Sequence, residues 1–322
     1  MKVSIIIPMY NAEKTISSCL DSVKSSNYED LEVIIVDDNS SDSSLELAKK
    51  YSFKIVSLEG NKGPAFARNT GADHAVGDIL FFLDSDGVIA NDTITKVVDT
   101  FIQHPDTQGV VGLYALEPLN NGIFPLYDSL RKYYEWKYFP SGEYSSFSTN
   151  GGAIKRETFM DLKGFRSAYK KADVEDFEFG YRLTEKNKVY YNNDIEISHY
   201  APTFKEYKKF FKRIVYWVRL FLKRKKFDNI KTTRSEASNF LIGFGIIIFF
   251  IIGIFIPYVL IISLILLIYH FIVDFRFYRF VSSCKGHKMA FYSFFITLYL
   301  SSIIGLATSF SILTYPFYKE EA

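Results

Sequence analysis

Short runs of β-branched and aromatic residues alternate with polar, helix-periodic stretches through the N-terminal part of the chain. Lys2 to Pro8 (KVSIIIP) is such a run closed by proline and predicts a strand. Asn11 then stands where an N-cap belongs, ahead of a helix whose apolar stripe is Ile16, Leu20 and Val23. Leu31 to Val36 (LEVIIV) predicts a second buried strand that opens into Asp37-Asp38-Asn39-Ser40-Ser41-Asp42. A helix from about Ser43 to Tyr51 follows, then a third strand near Lys54 to Leu58. A fourth apolar run, ILFFLDSD, ends in Asp84-Ser85-Asp86. This alternation predicts an α/β domain with a mostly parallel sheet and right-handed crossovers. In such sheets ligands bind beyond the carboxyl ends of the strands, and Asp37, Asp38, Asp84 and Asp86 all fall there.

The pattern changes after about residue 203. From Phe204 to Asp228 basic residues interleave with Phe210, Phe211, Ile214, Trp217, Phe221 and Leu222 at helical spacing, which describes an amphipathic helix lying in a membrane interface. Phe240 to Val273 are then 34 positions without a formal charge unless His270 is protonated, broken only by Pro257. A spanning helix needs about 20 apolar residues. The stretch predicts a tight hairpin turned at Pro257, with spans 240–256 and 258–273; a single tilted helix or a re-entrant pair fits the same length. A third span is expected over 289–315. The chain thus divides into a soluble domain, 1–203, a basic juxtamembrane segment, 204–238, and a transmembrane region, 239–318.

Charge sharpens this division. Residues 1–203 hold 21 Lys and Arg against 30 Asp and Glu, a net of −9, whereas 204–234 hold 12 against 2, a net of +10. The overall balance of +2 conceals the contrast. With Arg276, Arg279, Lys285 and Lys288, the basic cluster is a positive-inside signal, so the soluble domain is expected on the cytoplasmic side and the C-terminus outside. Basic and aromatic interleaving also serves nucleic-acid binding, but the apolar stretch that follows excludes that reading. KVSIIIP is too short for the apolar core of a signal peptide and leads straight into a domain. Cys19 and Cys284 lie in such different contexts that no disulfide is expected.

Candidate chemistry gathers at the strand ends. Alternation along an extended backbone would put the Asp84 and Asp86 carboxylates on one side, where they repel unless a cation lies between them. Hard oxygen donors suit Mg2+ or Mn2+; a turn of solvated aspartates is the plainer reading. Arg68 can neutralise an aspartate or a phosphate by bidentate contacts, or simply face solvent. For Asp38 the plainer role is to cap a helix. Phe147 to Ala153 (FSTNGGA) suits a loop whose backbone approaches a substrate closely, or an ordinary turn. Val174 to Gly180 (VEDFEFG) begins a helix through Thr184 with acids in its first turn, where the helix dipole favours them. That placement accounts for Glu175 and Glu178. His199, in ISHYAP, ends another strand-like run and reads either as a packed residue or as a ligand.

Three strings carry a resemblance over roughly the first 200 positions: VSIIIPMYNAEKTISSCLDSV, IIVDDNSSD and NKGPAFARNTGADHAVGDILFFLDSD. They are similar, in order and spacing, to the family 2 inverting glycosyltransferases, which have a nucleotide-sugar-binding (GT-A) fold. The resemblance implies that Pro8, Tyr10, Asp38, Arg68 and Asp84 bind the nucleotide, and that Asp86, with Asp84 and His199, holds Mg2+ or Mn2+. Asp176 matches the family's general base, which an acceptor hydroxyl needs to become a nucleophile. Val88 is apolar where a third ligand might have stood, and Lys212-Arg213-Ile214-Val215-Tyr216-Trp217 departs from the QxxRW string of processive members, so transfer of one residue is expected. The implied activity moves a sugar from a nucleotide donor, a UDP-sugar, to a hydroxyl of a lipid-linked saccharide or glycolipid. A polyprenyl phosphate is the alternative acceptor. From another class, the chain could be a catalytically silent scaffold that binds nucleotide sugar, against which the intact aspartates argue.

Overall fold

The structure is a computed structural model that describes residues 1–167, 174–207, 210–225 and 234–317. It divides into two units. One comprises residues 1–119 and 136–200; the other comprises 120–135 and the described residues of 201–317.

The first unit is built on β1 (Val3–Met9), α1 (Ile16–Lys24), β2 (Leu31–Asp37), α2 (Ser44–Ala48), β3 (Lys54–Ser57), α3 (Pro64–Asp73), β4 (Ile79–Phe82), β5 (Gly87–Ile89), α4 (Thr93–Gln103) and β6 (Thr107–Tyr114). After α5 (Ile123–Lys137) come β7 (Gly142–Tyr144), β8 (Gly152–Lys155), α6 (Arg156–Asp161), α7 (Glu175–Thr184) and β9 (Lys188–His199). The nine strands form one mixed sheet in the order β3-β2-β1-β4-β8-β6-β9-β5, with β7 beside β9. β3, β2, β1 and β4 are parallel throughout. The all-apolar runs make sense there, because parallel strands covered on both faces read as continuous hydrophobic stretches; every residue of β1 and β4 is buried. α1 closes one face with Ile16, Cys19, Leu20 and Val23.

Direction along the sheet decides where the site lies. β8 runs antiparallel to β4, β6 antiparallel to β8, and β9 parallel to β6. Two reversals restore the sense of β4, so β9 ends at the same edge as β1, β2 and β4. That edge carries Tyr10, Asp38, Asp84 and His199.

Three local expectations change. Asn11 is not an N-cap: it sits at φ 49, in the left-handed region, and its carboxamide oxygen accepts the Ser41 N–H at 2.8 Å, lacing the β1 exit to the β2 exit. Thr15 precedes α1 instead. Asp84 to Gly87 is not extended, because the Gly87 N–H bonds the Asp84 carbonyl at 2.8 Å and closes a turn. α2 is shorter than the helix read over Ser43 to Tyr51, ending at Ala48.

The second unit joins α5 to α8 (Phe204–Tyr207), α9 (Phe210–Arg224), α10 (Arg234–Phe255) and α11 (Leu260–Thr314). α10 and α11 turn about Pro257–Val259, and α11 is broken at Gly286, whose φ of 82 and ψ of 166 are not helical. Residues 274–285, between the expected second and third spans, are helical. Residues 120–135, placed by sequence in the soluble domain, belong here because α5 meets α11 through side chains on one of its faces. The Tyr127 hydroxyl and Thr297 Oγ1 are 2.9 Å apart, and Arg131 Nη1 donates to Asp274 Oδ1 at 3.1 Å while its guanidinium lies 4.7 Å from the Phe277 ring centre. The juxtamembrane cluster falls partly outside the described residues, Asp228 included. Its described helix α9 is amphipathic, with Val215 and Val218 buried.

Candidate functional site

At the exit of β1 Pro8 is buried and Tyr10 is half exposed, and the Asp38 N–H bonds the Met9 carbonyl at 2.8 Å, which sets Tyr10 beside Asp38. Asp38 is only 3% exposed. Its two carboxylate oxygens accept the N–H groups of Lys62, at 2.6 Å, and Gly63, at 2.8 Å. Gly63 is the N-cap of α3, with φ 92 that favours glycine, and Pro64 begins the helix with the φ it fixes. Asp38 thus pins the loop ahead of α3, the helix that brings Arg68 to the sheet edge, and makes no side-chain cap bond to it.

Arg68 is 3% exposed and lies between two carboxylates. Nη2 donates to Asp84 Oδ1 at 2.6 Å and Nη1 to Glu175 Oε1 at 3.0 Å. Burial works against its charge, but Asp84 and Glu175 together outweigh it and hold the guanidinium's pKa above its ordinary value. The Phe165 ring centre lies 5.9 Å from the guanidinium carbon. Asp84 keeps about a third of its side chain open. One oxygen is therefore committed to Arg68 and the turn presents the rest of the group outward. Beneath the turn the Cys19 thiol donates to the Asp84 carbonyl at 3.6 Å, and burial, with the Asp86 and Asp84 charges, pushes that thiol's pKa far up, so Cys19 stays neutral.

His199 reaches the same turn through backbone pairing. It stands opposite Gly87 in the β5–β9 ladder, the Tyr200 N–H bonds the Asp86 carbonyl at 3.3 Å, and the His199 ring lies 4.3 Å from that of Tyr114. Among the described residues no three His, Cys, Asp or Glu side chains stand close enough to hold a metal ion by themselves. The protein brings two carboxylates on one turn and a histidine backbone against it.

Asp176, the second residue of α7, is 7% exposed, and its Oδ1 accepts the N–H of Phe177 at 2.9 Å. α7 is seated by Phe179, whose ring contacts Phe147, Phe159 and Phe165, with Phe82 in the same cluster. Glu178 has the structural role expected of it: both its oxygens meet Arg182, at 2.8 and 2.9 Å, and Arg182 also donates to the carbonyls of Leu162 and Gly164. Glu175 differs. Its first-turn placement is real, but its carboxylate is spent on Arg68, 107 positions away in sequence, and no local signal marks that partner. The FSTNGGA glycines serve close approach within the protein itself. A Cβ on Gly151 would lie 2.3 Å from Ile197 Cγ1, and one on Gly152 would lie 1.9 Å from the Ser148 carbonyl oxygen.

The profile of glycosyl transferase family 2 matches residues 4–211. The chain belongs to that family. An uncharacterized glycosyltransferase of Haemophilus influenzae is 29% identical over 241 residues, spanning 71% of this chain and 91% of its own. The poly(ribitol-phosphate) beta-glucosyltransferase of Bacillus spizizenii is 40% identical over 104 residues, which are 30% of this chain but only 16% of that one. Among solved structures, the mannosyltransferase PcManGT from Pyrobaculum calidifontis, in complex with GDP-Man and Mn2+, aligns over 99% of this chain and 88% of its own, with TM-score 0.60 and 18% identity. TarS 1–349 of S. aureus in complex with UDP-GlcNAc aligns over 100% and 93%, with TM-score 0.53 and 16% identity. The likeness to these structures places the sheet in the GT-A fold. This family 2 chain is a glycosyltransferase.

Proposed function

We propose that this glycosyltransferase moves one sugar from a UDP-sugar to a hydroxyl of a lipid-linked saccharide or glycolipid at a membrane, with inversion at the transferred carbon. The observation that carries the reading is the single sheet edge on which the Asp84 turn, Asp38, Arg68 and the start of α7 are tied together. Relatives bound to UDP-GlcNAc or GDP-Man support a nucleotide-sugar donor. Two helical segments, 237–255 and 257–317, are long and apolar enough to cross a membrane and support a lipid-held acceptor.

The donor set suits a hard cation that takes one or two carboxylates and completes its shell with water and phosphates. Asp86 and Asp84 would hold Mg2+ or Mn2+, with His199 at the same turn, and the ion would supply Lewis-acid stabilisation of the departing diphosphate. Tyr10 and Asp38 line the nucleotide side of the edge. Asp84 is held by Arg68 in one orientation toward the ribose and diphosphate. Asp176 accepts the proton of the acceptor hydroxyl from the face of the sugar opposite the diphosphate, which makes the displacement single and inverting.

The test uses membranes containing the protein, Mg2+ or Mn2+, and a panel of labelled nucleotide sugars. Label extracted into organic solvent and stable to mild acid supports a glycolipid acceptor. Acid-labile label points instead to a polyprenyl-phosphate sugar or a pyrophosphate-linked glycan, separated by size. No label with any donor, where a known transferase works, overturns the reading. Asp176→Asn is expected to lose transfer by a factor of about 100 or more while still binding nucleotide; retained turnover would remove Asp176 from its role.

A further inference from the structure

We infer that Glu175 is a positioning residue which, through Arg68, sets the separation between the Asp84 turn and the Asp176 carboxylate. The inference rests on the function proposed above and deepens it. The reaction draws on two elements that are remote in sequence: the turn after β4, which meets the diphosphate side of the donor, and the first turn of α7, which meets the acceptor. Each could shift independently, because one is the tip of a strand and the other the start of a ten-residue helix.

Arg68 joins them. Its guanidinium is planar and rigid, and its two terminal nitrogens are committed to different partners, Nη2 to Asp84 and Nη1 to Glu175, at 2.6 and 3.0 Å. The arginine and the glutamate side chains are 4% and 5% exposed, so the contact between them is shielded from water. Arg68 is itself anchored on α3, whose start is fixed by the Asp38 carboxylate. Glu175 immediately precedes Asp176. A contact that fixes the first residue of α7 fixes the peptide from which the base projects, with no side chain between them.

The chemistry explains why two carboxylates are used rather than one. Arg68 facing Asp84 alone would keep the Asp84 contact but leave the first turn of α7 unheld. Glu175 holds the other end of the fork, so the guanidinium serves as a strut of set length. A gap of the order of 1 Å between base and acceptor costs about 100-fold in rate. The strut therefore acts on turnover rather than on donor binding. Glu178, one turn further on, does not share this role, since its partners Arg182 and Arg166 hold the 162–166 loop.

The test compares Glu175→Ala and Glu175→Gln with the unaltered full-length protein in membranes. Two readouts are taken: transfer kinetics, and Mn2+-dependent binding of UDP by the purified protein. Glu175→Ala is expected to lower kcat about 100-fold while the Kd for UDP with Mn2+ stays within about two-fold. That retained binding also shows that the variant is folded. Glu175→Gln keeps an oxygen to accept from Arg68 Nη1 and is expected to recover most of the lost turnover. The inference is overturned if Glu175→Ala turns over like the unaltered protein, if it loses UDP binding in proportion to turnover, or if Glu175→Gln is as impaired as Glu175→Ala. Absence of transfer by the unaltered protein with every donor would instead overturn the proposed function, and the inference with it.

Discussion

At the residue scale, Asp38 and Glu175 show what sequence can and cannot convey. Asp38 was legible as a candidate because an acidic turn directly after a buried strand is a local pattern. What it holds was not legible: the accepting N–H groups of Lys62 and Gly63 lie 24 and 25 positions away. Asp38→Ala removes both acceptors and leaves the buried Gly63 N–H and the part-buried Lys62 N–H without them. A buried unsatisfied group costs about 1–3 kcal/mol, so a fall in thermal midpoint is expected together with weaker nucleotide binding, because that loop leads into α3, which carries Arg68. Asp38→Asn retains one acceptor oxygen and should lie between the two. Thermal unfolding of the detergent-purified protein, with and without UDP, measures both effects; an unchanged midpoint in Asp38→Ala would show that water replaces the carboxylate. Glu175 had a sufficient local explanation in its helix-start position, and that explanation concealed the ion pair with Arg68.

At the element scale, the strands β1, β2, β3 and β4 were readable because a parallel strand buried on both faces has no polar alternation to confuse it. Less readable was everything that depends on a strand's partner. The 12-residue β9 alternates buried and partly exposed residues and returns parallel to β6, and nothing in its own sequence states that neighbour. The Asp84–Gly87 turn was likewise read as extended, since alternation cannot announce the Gly87 N–H bond that ends it. The 147–153 loop was recognised by its glycines, although the close approach they allow is to Ile197 and Ser148 of the same unit. Gly152→Ala therefore tests packing rather than binding. Its new Cβ would fall on the Ser148 carbonyl, a backbone group that cannot swing aside, and β8 would have to part from β4 at Phe82. A loss of about 3 kcal/mol is expected, read as a lowered thermal midpoint, and a neutral outcome would mean that the loop rearranges freely.

At the scale of the whole molecule, the sequence division at residue 203 missed α5, because its attachment to α11 rests on pairs more than 140 positions apart. Arg131 and Asp274 have side chains 12% and 8% exposed. Asp274→Ala leaves a buried arginine short of one anion, and removing one partner of such a pair costs about 3–5 kcal/mol; restored stability in the double variant Arg131→Met/Asp274→Leu would show that the pair gives specificity more than stability. The apolar C-terminal segments were legible by length and hydropathy alone, and their packing bears on the expected topology. Phe211 and Phe310 rings lie 6.0 Å apart, Ser311 Oγ donates to the Val215 carbonyl at 3.1 Å, and Arg219 Nη2 donates to Thr314 Oγ1 at 3.2 Å. The last turns of α11 are therefore held against α9, which exposes Lys212, Arg213 and Lys223. A lysine or arginine at the centre of a bilayer costs about 2.5–3.5 kcal/mol even on the mildest scale, so α9 stays where its cations meet water or headgroups, and the end of α11 stays with it. This argues against a third span that carries residues 310–317 across to the face opposite α9. Phe317 is 85% exposed and Cys284 is an exposed thiol, whereas Cys19 is buried. In a Cys284→Ser background, Phe317→Cys and Lys223→Cys are expected to react with a membrane-impermeant maleimide from the same side, either both in intact cells or both in inverted vesicles. Labelling of the two positions from opposite sides would restore the three-span arrangement and place α9 apart from the membrane-embedded end of α11.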